Sequence, residues 1–165
     1  MKIPSAAASA VITLAGLAIA AVTASVAGPA PVSTDSSIAH GQYLVTITGC
    51  HDCHTAGHLQ SAGHTPANGW LTGQSVGFQG PWGTTYPANL RLTVQSMTEA
   101  QWLVFARAEK RPPMPWFNLK AMSDRDLIDI YRFIRSLGPA GEAVPAAVPP
   151  GGKVNTPFIL FAPQG

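Results

Sequence analysis

The sequence predicts an all-α protein with about three main helices and long irregular loops. Prolines and glycines are plentiful, 15 and 16 of 165 residues, and they cluster in the second half, which argues against a large regular sheet. Three stretches begin with a helix-capping residue and continue with apolar positions at helical spacing. Strand-like alternation of apolar and polar residues is scarce.

The first 27 residues have the layout of a secretory signal peptide. Lys2 precedes an apolar run rich in Ala, Val, Leu and Ile, and Ser25 and Ala27 stand at the positions that a signal peptidase would read. The alternative is an uncleaved membrane anchor, because the run is almost long enough to span a bilayer. Either way we expect an exported, periplasmic protein, free or tethered to the membrane.

The rest of the chain is predicted to form one domain, residues 28–138, followed by a Pro- and Gly-rich tail, residues 139–165. The net charge is only +2 and charged residues are sparse. No basic stripe or block of like charge is present, so nucleic acid is not an expected partner.

The first predicted helix runs from about Ile38 to Thr48. Asp35, Ser36 or Ser37 can cap it, and it ends at Gly49. Residues 55–93 are predicted to be loop, because Gly, Pro and Asn recur throughout them.

The second predicted helix begins at Thr98, which with Gln101 can form a capping box, and it runs to about Lys110. The prolines of RPPMPW, residues 111–116, then break it. The last helix begins after Ser123, carries an apolar stripe at i, i+3, i+4 and i+7, and stops at Gly138 and Pro139. The tail is predicted to be a flexible or extended arm whose apolar end, Phe158–Phe161, must dock or lie exposed.

The stretch CHDCH, Cys50 to His54, holds both cysteines of the chain. A redox dithiol is disfavoured, because the motif follows a helix without strand–helix alternation. A zinc site could use the cysteines with two of the neighbouring histidines (His51, His54, His58 and His64). However, His58 and His64 are too far apart for the usual spacing.

The pattern C-x-x-C-H indicates covalent haem. Cys50 and Cys53 would form thioethers with one haem c, and His54 would be the proximal iron ligand. His51 and Asp52 would be solvent-facing spacers. The predicted export of the protein suits covalent attachment of haem.

Met114 is the predicted distal iron ligand, because the prolines on both sides stiffen its loop. Met97 and Met122 are alternatives, and a second histidine (His40, His58 or His64) is a weaker one. If the distal position were open, the protein would instead bind a small ligand or act like a peroxidase. Trp82, Tyr86 and Asn89 could hydrogen-bond a haem propionate, because their side chains can donate.

The order of these features resembles class I cytochrome c over about Ser37 to Gly138. The matching features are Gly41 and Tyr43 in the first helix, CHDCH, a Pro-flanked Met and a last helix with Tyr131. The loop GPWGTTYPANL, Gly80 to Leu90, is similar to the loop found in single-haem domains of bacterial dehydrogenase-linked cytochromes. The longer middle loop and the tail depart from the small cytochromes, and the single CxxCH departs from multihaem subunits.

The resemblance implies the small cytochrome c fold, with Gly41 at the crossing of the first and last helices. It also implies an electron carrier rather than an enzyme, between a donor dehydrogenase and an acceptor oxidase or cytochrome. The remaining alternative is a haem subunit fixed in a dehydrogenase complex, with the tail clasping a larger subunit.

Overall fold

A computed structural model describes Met1 and residues 33–161. The chain divides by its contacts into Met1–Pro31 and Val32–Gly165, and residues 33–161 belong to the second unit. Apart from Met1, the predicted signal peptide therefore lies outside the described residues. Among the residues described, no helix combines the length and the apolar character needed to cross a membrane.

The fold is mostly helical, with a small sheet. The six α-helices of the described part are α1 (Thr34–Ile47), α2 (Cys50–His54), α3 (Leu90–Gln95), α4 (Glu99–Arg107), α5 (Trp116–Ala121) and α6 (Asp124–Ser136). A 3₁₀ turn spans Ala67–Gly69, and the three strands are β1 (Gly77–Gly80), β2 (Gly83–Thr85) and β3 (Phe158–Leu160).

The all-α prediction is correct for most of the described chain, which is helical, but it missed the small sheet. Its strand order is β2-β1-β3: β1 pairs antiparallel with β2 and parallel with β3. The strands are only three or four residues long. Such segments are too short to show a period of two, and β3 finds its partner far away in sequence.

Helices α1 and α6 cross at Gly41, as the resemblance implied. A Cβ atom at Gly41 would lie 2.5 Å from the carbonyl carbon of Asp129 and 2.8 Å from the Cβ of Phe133. The two backbones therefore approach closely because Gly41 has no side chain. Helix α1 begins earlier than predicted, since Ser33 is its N-cap and accepts the N–H of Ser36.

The apolar stripe of α6 forms the centre of the core. Its Leu127, Ile130 and Ile134 are buried with Trp102 and Ala106 of α4. The indole N–H of Trp102 donates to the carbonyl of Leu127 at 2.7 Å, so the polar atom of this buried ring is satisfied.

The predicted caps of α4 and α6 are confirmed. Thr98 and Gln101 form the capping box, and Ser123 accepts the N–H of Asp126. The predicted loop 55–93 contains the start of a further helix, α3, which begins after its cap Asn89. Because α3 has only six residues, its apolar spacing is too brief to stand out in the sequence.

The tail is an extended arm that docks on the domain. Thr84 and Val148 exchange two backbone hydrogen bonds of 2.8 and 2.9 Å. Further along, β3 pairs with β1, with Phe158 beside Gly77 and Leu160 beside Gln79. The tail therefore belongs to the same packed unit as the helices.

Candidate functional site

A largely apolar cavity of about 260 Å³ lies among α2, α4, α6 and the docked tail. Protein interiors contain few voids larger than a water molecule, and an apolar cavity of about 150 Å³ already holds benzene. This cavity is therefore large enough for a ligand bigger than one aromatic ring. Its apolar walls include Phe78, Leu90, Trp102, Phe105, Ile130 and Ile134.

Helix α2 brings the CHDCH residues to this cavity. Gly49 joins α1 to α2 with φ of 70°, a left-handed conformation that glycine adopts readily. After this turn Cys50, Cys53 and His54 all line the cavity. One short helix thus presents two thiols and one imidazole to the same space.

Both cysteines are free thiols and partly buried. Burial raises the pKa of Cys50 and of Cys53 above the ordinary value of a thiol. A redox dithiol instead depends on a thiolate whose pKa is lowered. The electrostatics of the motif therefore count against the thiol-exchange alternative.

His54 is buried, and its Nδ1 lies 2.8 Å from the carbonyl oxygen of Ala88. A carbonyl only accepts, so Nδ1 carries the proton that is donated. Burial lowers the pKa of His54, which keeps the imidazole neutral. The lone pair is then on Nε2, and a backbone partner at the other nitrogen is typical of metal-ligating histidines.

Met114 lines the same cavity as His54 and both cysteines. The four residues also line a smaller adjoining cavity of about 50 Å³. The backbone around Met114 is tied by two hydrogen bonds, from its N–H to Arg111 and from the N–H of Trp116 to its carbonyl. The structure thus brings together four of the predicted site residues from segments far apart in the chain.

The other predicted iron ligands are placed less favourably. Met122 lines only the smaller cavity, and Met97 lines neither. None of His40, His58 and His64 lines either cavity.

The predicted propionate donors have partners within the protein. The Tyr86 side chain lines the cavity, but its hydroxyl lies 2.7 Å from the hydroxyl of Thr156. Trp82 donates to the carbonyl of Phe78 at 3.3 Å, and Asn89 donates to the carbonyls of Ala140 and Glu142. Trp82 and Asn89 do not line the cavity.

The cavity has two cationic neighbours that the sequence analysis missed, Lys110 and Arg111. Among residues 33–161, no carboxylate side chain lines the cavity with them and neither cation has a salt bridge. The Lys110 ammonium donates to the carbonyls of Phe105 and Ala108. Burial lowers the pKa of Lys110. Both residues immediately precede PPMPW in the sequence. This position beside the predicted Met ligand was the signal that could have identified them.

His51 corrects a further prediction. It is buried rather than solvent-facing, with Nδ1 2.8 Å from the hydroxyl of Thr55 and its ring stacked on His58 at 4.8 Å. Burial lowers the pKa of His51 to about 4. Asp52 is exposed, as predicted.

The zinc alternative finds no support in the geometry. Within the part of the chain that the structure describes, no group of three or more His, Cys, Asp or Glu side chains could hold a metal ion.

Comparisons of the chain with protein-family models, with curated proteins and with solved structures gave no match. A function must therefore be inferred from the chemistry and geometry of the site.

Proposed function

We propose that the protein is a class I c-type cytochrome with the small cytochrome c fold, a periplasmic monohaem carrier of single electrons. One observation carries the proposal: Cys50, Cys53, His54 and Met114 line the same apolar cavity. The C-x-x-C-H order supplies the covalent attachment and the proximal ligand. A Met thioether is the usual partner of His in electron-transferring cytochromes c.

The residues of the cavity fit a haem c in three respects. Neither Cys50 nor Cys53 is in a disulfide, so both sulfurs are available for thioether bonds. The wall is mostly apolar, as the face of a porphyrin requires. Lys110 and Arg111 line the larger cavity but not the smaller one, and they could pair with the two acidic propionates.

When bound, the haem supplies the one-electron chemistry of its iron. His54 would hold the iron through Nε2, with Ala88 fixing the tautomer and the orientation of the ring. Met114 would offer its sulfur from a loop held by backbone hydrogen bonds. The apolar wall keeps water away, which together with the thioether ligand favours a relatively high reduction potential.

Redox partners would approach where the smaller cavity opens beside the cysteines. Thr48, Gly49, Pro115 and Asn118 line this smaller cavity. A small, transient interface there would suit a carrier that moves between a donor dehydrogenase and an acceptor oxidase or cytochrome. The carrier could be free in the periplasm or tethered through its N-terminus or a partner complex.

Visible spectroscopy of the exported protein tests the proposal, with Met114→Ala as the diagnostic variant and Met122→Ala as its control. We expect a low-spin c-type spectrum with the weak far-red band that sulfur ligation produces. Met114→Ala should lose that band, and Met122→Ala should keep it. The absence of covalently bound haem in a host that matures c-type cytochromes would overturn the proposal.

The same spectra test the open-site alternative. A high-spin spectrum of the unaltered protein would mean that Met114 does not ligate the iron. The protein would then be assigned to small-ligand binding or peroxidase-like chemistry.

A further inference from the structure

The end of the tail presents an unusual apolar edge. Phe158, Ile159, Leu160 and Phe161 are four consecutive apolar residues, and they are 45%, 49%, 56% and 41% exposed. The ring of Phe161 packs on Phe78, 5.6 Å away, but β3 still forms the outer strand of the sheet. Within residues 33–161 no strand pairs with the outer side of β3.

The hydrogen bonds to β1 show which backbone groups of β3 point outward. Pro157 accepts the N–H of Gly77 at 2.8 Å, and Phe161 donates its N–H to Gln79 at 2.7 Å. Backbone groups alternate in direction along a strand. The odd-numbered residues therefore face β1, and the N–H and C=O groups of Phe158 and Leu160 face away from the sheet.

These outward groups match a second copy of the same strand. When two β3 strands run antiparallel with the two Ile159 residues on the axis, Phe158 of each copy is opposite Leu160 of the other. Each such pair exchanges two hydrogen bonds, because both residues present an N–H and a C=O. Four backbone hydrogen bonds then join the copies.

The charge and composition of the strand also suit a two-fold interface. Near a two-fold axis the strand meets its own copy, so a charge on it would lie close to the same charge of the partner. No charged residue occurs from 154 to 161. Natural edge strands usually carry Lys, Pro or a bulge that prevents pairing, and Phe158–Leu160 contains neither Lys nor Pro.

We propose that the protein forms a homodimer through antiparallel pairing of β3 with β3 about an axis at Ile159. The two three-stranded sheets become one sheet of six strands. Apolar side chains of Phe158 and Leu160 from both copies then cover one another on one face. Because the strands are short, the interface is small and the dimer is expected to be weak and reversible.

Sedimentation analysis of the full exported protein tests the proposal. Between about 1 µM and about 1 mM, the mean mass should rise toward twice that of the monomer. Leu160→Pro removes an outward N–H without removing a hydrogen bond to β1, so it should remain monomeric throughout this range. Leu160→Ala keeps that N–H and should dimerise less than the unaltered protein but more than the proline variant. Circular dichroism checks that both variants are folded.

Cysteine substitution tests the register. Residues at 159 form the non-hydrogen-bonded pair on the axis, with Cα atoms about 4.5 Å apart, a distance that a disulfide can bridge. We expect Ile159→Cys to form a cross-linked dimer under mild oxidation. The matched variants Phe158→Cys and Leu160→Cys should not, because each cysteine faces a different residue of the partner.

Three results would overturn the proposal: a monomer at every concentration, a dimer that survives Leu160→Pro, or cross-linking at position 158 or 160 in preference to 159. The sedimentation measurements do not depend on the cofactor, so the proposal stands or falls separately from the electron-carrier function.

Discussion

The close crossing of α1 and α6 predicts that Gly41→Ala destabilises the protein. In a helix interior, alanine is normally better than glycine by about 1 kcal/mol. At Gly41, however, the added methyl would lie 2.5 Å from the backbone carbon of Asp129 and 2.8 Å from the Cβ of Phe133. Neither is the far end of a flexible side chain, so the helices must separate.

The expected magnitude follows from these two opposing effects. Adding a methyl group to a well-packed core costs about 1–3 kcal/mol. Because the methyl at Gly41 would contact backbone atoms, the cost there lies near the upper end of this range. Subtracting the propensity gain of about 1 kcal/mol leaves a net loss of about 2 kcal/mol. With a urea dependence of about 2 kcal/mol per molar, the unfolding midpoint should fall by about 1 M.

Urea unfolding followed by circular dichroism measures the effect, with Gly69→Ala as the control. Gly69 has ordinary backbone angles, and a Cβ built there meets nothing within 4 Å. The urea unfolding midpoint of Gly69→Ala should stay close to that of the unaltered protein. If Gly41→Ala were as stable as the unaltered protein, the helices would not cross in contact at Gly41, and the argument would be refuted.

Two further predictions concern the tail and the cavity. Asn89→Ala removes the cap of α3 and both donors to the tail carbonyls of Ala140 and Glu142, and should lower the free energy of unfolding by about 2–3 kcal/mol. Asn89→Asp keeps the cap oxygen but turns a buried carboxylate oxygen toward those two carbonyls, so it should lose at least as much stability as Asn89→Ala; equal urea midpoints for all three proteins would contradict this. Lys110→Gln removes a cation that lines the cavity. It should lower the reduction potential of the proposed haem by about 40 mV or less, because a nearby positive charge favours the added electron. Lys153→Gln, outside the cavity, is the control in the same potentiometric titration, and a rise in the Lys110→Gln potential would count against the placement of Lys110.

Features that depend on neighbours in sequence were predictable. The capping box of Thr98 and Gln101, the cap at Ser123 and the apolar stripe of α6 all occur as predicted. Each is set by residues three or four positions apart, which one helical turn brings together. The same locality applies to CHDCH, where Cys50, Cys53 and His54 share one short helix.

Features that depend on distant segments were not predictable from local patterns. The sheet was missed because its strands are short and β3 pairs with a strand about eighty residues earlier. Trp82 and Asn89 were assigned to the pocket from their donor groups alone. The folded chain directs those donors to backbone carbonyls instead.

The amino-acid sequence by itself therefore determined the thiol and imidazole spacing of the site, the capped helices and the methionine candidates. Only the tertiary structure decided that Met114 shares a cavity with His54, that Ala88 holds the imidazole and that Lys110 and Arg111 line the wall. It also decided that the tail packs on the domain. The physical reason is that spacing along a helix follows from backbone geometry, whereas proximity between distant segments depends on how all the side chains pack together.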